Sequence, residues 1–126
     1  PFDNIMFETV VCAQCEIELA GPADTTVVVV EPEAWCYVHT LQAGLMEIAD
    51  VFVVYKADRP GVDLFVKNLR LMLAPAFHNH TIPVPVIKTV ASQKKGIDEL
   101  LTAINSNLQQ KKASGKRYWL RAEKAY

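Results

Sequence analysis

The sequence predicts an α/β domain: a mainly parallel sheet of about four strands with helices on both faces. Three observations carry that expectation. Short apolar runs at residues 4–10, 25–30, 51–54 and 86–90 are separated mostly by longer stretches with apolar residues at helical spacing, the pattern of β-α units rather than hairpins. The runs are rich in valine, isoleucine and phenylalanine with little polar alternation, as in strands buried on both sides. A length of 126 residues with 51% apolar content suits one domain with its own core.

Taken in order, residues 4–10 open with Ile5, Met6 and Phe7 and predict a first strand. It is entered almost at once from Pro1, as in a piece cut from a longer protein. Residues 14–21 are short and mixed, a helical turn or two closed by Gly21-Pro22. Residues 25–30, bounded by Asp24 and Pro32 and dominated by β-branched side chains, predict a central strand. Val38, Leu41, Leu45 and Ile48 fall at helical spacing across residues 34–49, and Asp50 then breaks into the strand at residues 51–54. Pro60-Gly61 opens a second helix with Phe65, Val66, Leu69, Met72 and Leu73 on its inner face, stopped near Pro75. Residues 76–85 read as a loop carrying His78 and His80, and residues 86–90 as the fourth strand. Gly96 leads into a third helix with Ile97, Leu100, Leu101, Ile104 and Leu108 on one face. The domain so read covers residues 1–111. Residues 112–126 form a tail, polar and then aromatic, that reads as a terminal helix packing on the domain or on a partner.

The totals exclude several classes. A net charge of −1 gives no basic field for nucleic acid or an anionic membrane surface. No run of apolar residues is long enough to span a bilayer, and the first residues lack the basic and apolar regions of a signal peptide. Three cysteines, an odd number, argue against a disulfide framework. A cytoplasmic protein is the expectation.

In an open parallel sheet, ligands bind outside the carboxyl ends of the strands. Three predicted strands end in chemically loaded loops: Glu8-Thr9 after the first, Trp35 to His39 after the second, and Lys56-Ala-Asp58 after the third. The segments Glu8-Thr-Val10, Asp24-Thr-Thr-Val-Val-Val-Val30, Leu45-Met-Glu-Ile-Ala-Asp-Val-Phe-Val-Val54 and Lys56-Ala-Asp-Arg-Pro-Gly61 resemble the MeaB/ArgK family. The joint presence of Met46-Glu-Ile-Ala-Asp50 and Lys56-Ala-Asp-Arg-Pro60 at this spacing is specific, and the resemblance runs over about residues 2–106. These are P-loop GTPases that act as chaperones of adenosylcobalamin-dependent methylmalonyl-CoA mutase, and the match corresponds to the later half of their GTPase domain.

The resemblance implies a P-loop-NTPase-like fold lacking the P-loop strand, with GTP or GDP and magnesium as ligands and the mutase as partner. It implies that Glu8 ends the strand supporting the magnesium and the switch loop. Lys56 and Asp58 would belong to the guanine-recognition motif, where a carboxylate offers two coplanar acceptors to two adjacent N–H donors of the base. Thr89, Val90 and Ala91 would form the last nucleotide loop and place a backbone N–H near the base oxygen.

The sequence also departs from the family. No G-x-x-x-x-G-K-[ST] occurs, and the one Gly-Lys pair, Gly115-Lys116, is followed by Arg117. Tyr55 stands where the family usually has asparagine, and Val11-Cys-Ala-Gln-Cys15 where it has Gly-Val-Gly-Gln-Ser. Trp35, Cys36 and His39 replace a Gly-Asp pair and a glutamine. Without a nest of backbone N–H groups for the phosphates, hydrolysis of GTP by these residues, and its binding at useful affinity, are expected to be lost. A sheet lacking the P-loop strand leaves a gap that a second copy could fill, so a homodimer is expected with Trp35, Tyr37 and Tyr55 near the seam.

The substitutions suggest an alternative. Cys12, Cys15, Cys36 and His39 read C-x2-C, then twenty residues, then C-x2-H. Three thiolates and one imidazole would suit tetrahedral zinc in a closed structural site, making the chain a zinc-binding α/β scaffold or assembly module without enzyme activity, natural or engineered. Taken singly, the cysteines read as small core residues and His39 as a solvated helix residue. A hydrolytic variant would use three of these ligands with Glu16 or Glu31 as base. His78 and His80 could form a separate weak site.

Overall fold

The structure is a computed structural model that describes residues 3–9, 23–33, 46, 48–74 and 84–113. Three strands, β1 (Val27–Val30), β2 (Val51–Val54) and β3 (Val86–Lys88), lie side by side in that order. Both pairings are parallel, with Val27 opposite Val51, Val30 opposite Val54, Phe52 opposite Val86 and Val54 opposite Lys88. All three strands therefore end at the same edge. The α/β class and the parallel sheet agree with the expectation.

Helix α1 (Val62–Leu73) follows β2, and helix α2 (Ile97–Ala113) follows β3. Asp63 lies in the first turn of α1 and Arg70 in its last, each at the end whose partial charge it complements. Successive residues of β2 point to opposite sides of the sheet. Phe52 and Val54 pack with Phe65, Val66, Leu69 and Leu73 of α1. Val51 and Val53 pack with Ile87 and with Leu100 and Ala103 of α2. The two helices thus cover opposite faces, and β2 is buried along its whole length. Each fully buried Phe or Leu contributes roughly 1.5–3 kcal/mol, so the centre of stability lies where β2 meets α1.

The second helix is attached differently. Its half-buried residues are Leu100, Ala103, Ile104, Asn107, Leu108 and Lys111, a stripe at helical spacing whose far end is polar. The Thr25 hydroxyl donates to the Asn107 amide oxygen at 3.2 Å. The Lys111 ammonium reaches Asp50 Oδ2 at 2.6 Å and the Asp24 carbonyl at 2.8 Å. The same Asp50 oxygen accepts the Thr26 N–H at 2.8 Å. These bonds tie the end of α2 to the amino edge of the sheet.

Several expectations need correction. Residues 4–9 form no strand, and Ile5, Met6 and Phe7 are 70%, 91% and 83% exposed. An apolar run specifies a buried strand only when a neighbouring strand supplies its ladder, and none of the described residues does so here. The run at 25–30 gives a strand of four residues, and among the described strands it is an edge, with β2 in the centre. β-branched content favours a strand but does not set its place in the sheet. The run at 86–90 stops at Lys88, and Val90 instead bridges Lys95 in antiparallel fashion. The third helix extends to Ala113, and Ile97 and Leu101, expected inside, are exposed. Of the helix expected at residues 34–49, Met46, Ile48 and Ala49 are described; Met46 and Ile48 are helical and Ala49 is not.

Candidate functional site

The carboxyl edge of the sheet brings together three loops. The parallel register that sets Val30 beside Val54 also sets Glu31 beside Tyr55, and the Tyr55 N–H donates to the Val30 carbonyl at 3.1 Å. Beyond Tyr55 the chain turns sharply. Lys56 has φ 51°, left-handed for a residue with a Cβ, and its carbonyl accepts the Arg59 N–H at 3.1 Å. The Ala57 N–H donates to the Thr89 carbonyl at 3.1 Å, and the Thr89 N–H donates to the Val54 carbonyl at 2.9 Å. These bonds fasten the Lys56–Asp58 loop to the loop after β3.

Of the predicted nucleotide residues, Lys56, Asp58, Thr89 and Ala91 are therefore neighbours on one edge. Thr89 is buried, and its N–H and C=O are both committed within the fold. The Val90 N–H is occupied by the Lys95 carbonyl at 3.0 Å. Ala91 opens the short 3₁₀ turn Ala91–Gln93, so its N–H belongs to the amides a helical turn leaves without an internal acceptor. Asp58 is exposed, and among the described residues no partner of its carboxylate is seen. The turn closes through Gly96, whose φ of 78° and close approach to the Lys88 carbonyl leave no room for a side chain: a Cβ there would stand 2.1 Å from that oxygen.

The charged centre of this edge is Glu31. Its Oε1 meets the Lys56 ammonium at 2.6 Å, and its Oε2 accepts the Tyr55 hydroxyl at 3.0 Å. The Lys56 ammonium also lies 5.3 Å from the centre of the Tyr55 ring, within cation–π range. The hydrogen bond from Lys56, with that from Tyr55, holds the Glu31 carboxyl below the usual carboxylate range. The bond to Glu31 pushes both Lys56 and Tyr55 above their ordinary values. Arg59 and Glu33 form a longer, exposed pair at 3.4 Å. A Glu31 carboxylate so engaged is a poor general base, which weakens the hydrolytic-zinc alternative at that residue. Its partnership was readable in principle, since a parallel pairing of two strands aligns the residues that follow them.

Other expected residues are placed apart or not placed. Glu8 is exposed in residues 3–9, and no described contact brings it to the Lys56–Asp58 loop. Cys12, Cys15, Cys36 and His39 lie outside the described residues, as do Glu16, Trp35, Tyr37, His78, His80 and the tail from residue 114. Among the described residues, no group of three or more His, Cys, Asp or Glu side chains could hold a metal ion. No described helix is long and apolar enough to cross a membrane. An open groove runs along the outer side of β3 between Arg70 and Glu99, away from this edge.

Known proteins give this edge a context. The sequence pattern of the family described as methylmalonyl-CoA mutase-associated GTPase MeaB matches residues 1–126. A protein of Pyrococcus abyssi named as a candidate GTPase is 41% identical over 117 residues, covering 90% of this chain and 36% of its own length. A similarly named protein of Caulobacter vibrioides is 30% identical over 129 residues, covering 97% of this chain and 38% of its own. The crystal structure of a LAO/AO transport system kinase superposes with a TM-score of 0.69 at 27% identity, covering 93% of this chain and 38% of that one. The chain thus spans little more than a third of the length of these relatives. It belongs to the MeaB family of methylmalonyl-CoA mutase-associated GTPases.

Proposed function

We propose that the carboxyl edge of this sheet is the guanine-reading part of a MeaB-type GTPase. The observation that supports this most directly is the joining of the Lys56–Asp58 loop to the Thr89–Ala91 loop through the Ala57–Thr89 hydrogen bond. That bond sets an exposed carboxylate beside a turn whose first amide is open. A carboxylate with two acceptors and a single N–H donor together match the two donors and one acceptor along one side of guanine. Adenine reverses donor and acceptor at positions 1 and 6 and has no donor at position 2. In this reading Asp58 accepts from the base, Ala91 donates to it, and Thr89 holds the two loops together.

The stretch by itself binds guanine nucleotide without hydrolysing it, because these 126 residues contain no G-x-x-x-x-G-K-[ST] segment to hold the phosphates. The role of the whole protein is GTP-dependent service to the mutase for which the family is described, and magnesium enters with the nucleotide. Calorimetric titration with GDP and ADP tests the base preference. GDP should bind in preference to ADP, and Asp58→Ala should weaken GDP binding by about 10–100-fold, with thermal stability unchanged. Equal binding of both nucleotides, or GDP binding that survives the substitution, would remove Asp58 from the site.

The spacing of Cys12, Cys15, Cys36 and His39 supports a second reading, a structural zinc site. Metal analysis of protein purified without chelator tests it. One zinc per chain that is lost in Cys12→Ser would support it, and metal-free protein would end it.

A further inference from the structure

We propose that Glu31 is a positioning residue for the guanine-reading loop, pinning the Lys56 ammonium so that this side chain is fixed before a base arrives. The inference rests on the guanine reading above and extends it to a residue on a different strand.

Lys56 is held at both ends. Its backbone is held in a left-handed turn, with the Tyr55 N–H bonded to the Val30 carbonyl before it, the Ala57 N–H bonded to the Thr89 carbonyl after it, and its own carbonyl accepting the Arg59 N–H. Its ammonium is fixed by Glu31 Oε1 at 2.6 Å. Glu31 is itself oriented, because the Tyr55 hydroxyl takes its second oxygen at 3.0 Å. One carboxylate therefore joins the end of β1 to two consecutive residues after β2.

A lysine side chain at a solvent-facing loop otherwise samples many rotamers, and a ligand that uses it must order it. With the pin in place, the ordering has already occurred when the ligand binds, which is the usual route by which preorganisation raises affinity. The pin does little for the fold, since the pair is exposed and pairs of this kind contribute little to stability. Its geometry therefore has its main consequence at the loop it holds. The Lys56 ammonium is also already neutralised, so the lysine contributes to the site through its fixed stem rather than as a spare cation.

The test combines GDP titration with a double-mutant cycle. Glu31→Gln keeps the shape and an acceptor for Tyr55 but removes the charge. It should weaken GDP binding about 3–10-fold while leaving the melting temperature nearly unchanged. In a Lys56→Met background the same substitution should have no effect on GDP affinity, because Glu31 acts only through the ammonium. Raising salt should weaken GDP binding in the wild type more than in Glu31→Gln. Tighter GDP binding by Glu31→Gln would overturn the proposal by making Glu31 a competitor for Lys56. Equal losses with and without Lys56 would overturn it by making Glu31 a direct ligand contact. NMR of the Lys56 ammonium gives a readout that needs no nucleotide. It should show restricted motion in the wild type that is released in Glu31→Gln, and unrestricted motion in both would eliminate the pin itself. Restricted motion together with no GDP binding by the wild type would instead overturn the guanine reading, and with it the positioning role.

Discussion

At each edge of the sheet a carboxylate meets a lysine ammonium at 2.6 Å: Asp50 with Lys111 at the amino edge, Glu31 with Lys56 at the carboxyl edge. The distances are the same and the settings are not. At the amino edge the two side chains are 17% and 18% exposed, and the aspartate also accepts a backbone N–H while the lysine also reaches a carbonyl. That pair joins residues 61 positions apart and fastens the last turns of α2 to the start of β1. At the carboxyl edge the lysine is 47% and the glutamate 25% exposed, and the pair sits on a left-handed turn beside an exposed aspartate. Contact geometry alone does not distinguish an anchor of the fold from a contact that orders a surface loop. Burial and the number of further partners do.

The strongest way to break the carboxyl edge is through its backbone. Gly96→Ala would place a Cβ 2.1 Å from the Lys88 carbonyl oxygen in a left-handed conformation, and should cost more than about 2 kcal/mol in urea unfolding. A cost near zero would mean that the turn relaxes freely and does not define the edge.

Next comes the amino-edge anchor. Asp50→Ala leaves the Thr26 N–H without its acceptor and takes the carboxylate from the Lys111 ammonium, which keeps the Asp24 carbonyl, and should cost roughly 1–3 kcal/mol in the same measurement. The contrast between edges is sharpened by running Glu31→Gln beside it, for which the unfolding midpoint should barely move. Equal costs for the two would erase the distinction.

The smallest effect is on pH dependence. The Glu31 pKa is lowered by its bonds to Lys56 and Tyr55, so its contribution is complete above the ordinary carboxylate range and is lost as pH falls through the lowered value. Lys56 and Tyr55 are raised by Glu31, so their share is present below their ordinary values and is lost as pH rises through the raised ones. NMR titration of the Glu31 carboxyl should therefore give a midpoint below that of an exposed glutamate, and in Lys56→Met the midpoint should return toward the ordinary value.

Much of the fold was legible because burial leaves a periodic trace. Phe65, Val66, Leu69 and Leu73 stand out at helical spacing and pack where that spacing places them. The unbroken apolar run of β2 signals burial on both faces, which the two helices supply. The attachment of α2 was less legible, because its stripe continues through Asn107 and Lys111, polar residues that a search for apolar periodicity passes over. Ile5, Met6 and Phe7 show the converse, an apolar run that remains exposed because no described strand lies beside it. At the site, Lys56, Asp58, Thr89 and Ala91 were found as parts of separate segments, and only the register of the sheet brings them together. From the sequence Glu31 reads as a strand-end carboxylate and a candidate base of a zinc site, not as the partner of Lys56 and Tyr55. Its partners become evident only once β1 and β2 are known to pair in parallel, with Val30 beside Val54.

The most direct test is a 1H–15N NMR map of the protein titrated with GDP. The amides of Lys56, Ala57, Asp58 and Ala91 should shift together and saturably, while those of Thr26, Asp50 and Lys111 at the opposite edge stay in place. Shifts confined to the amino edge, or no saturable shift in the Lys56–Asp58 and Thr89–Ala91 loops, would contradict the assignment of the carboxyl edge as the guanine-reading site.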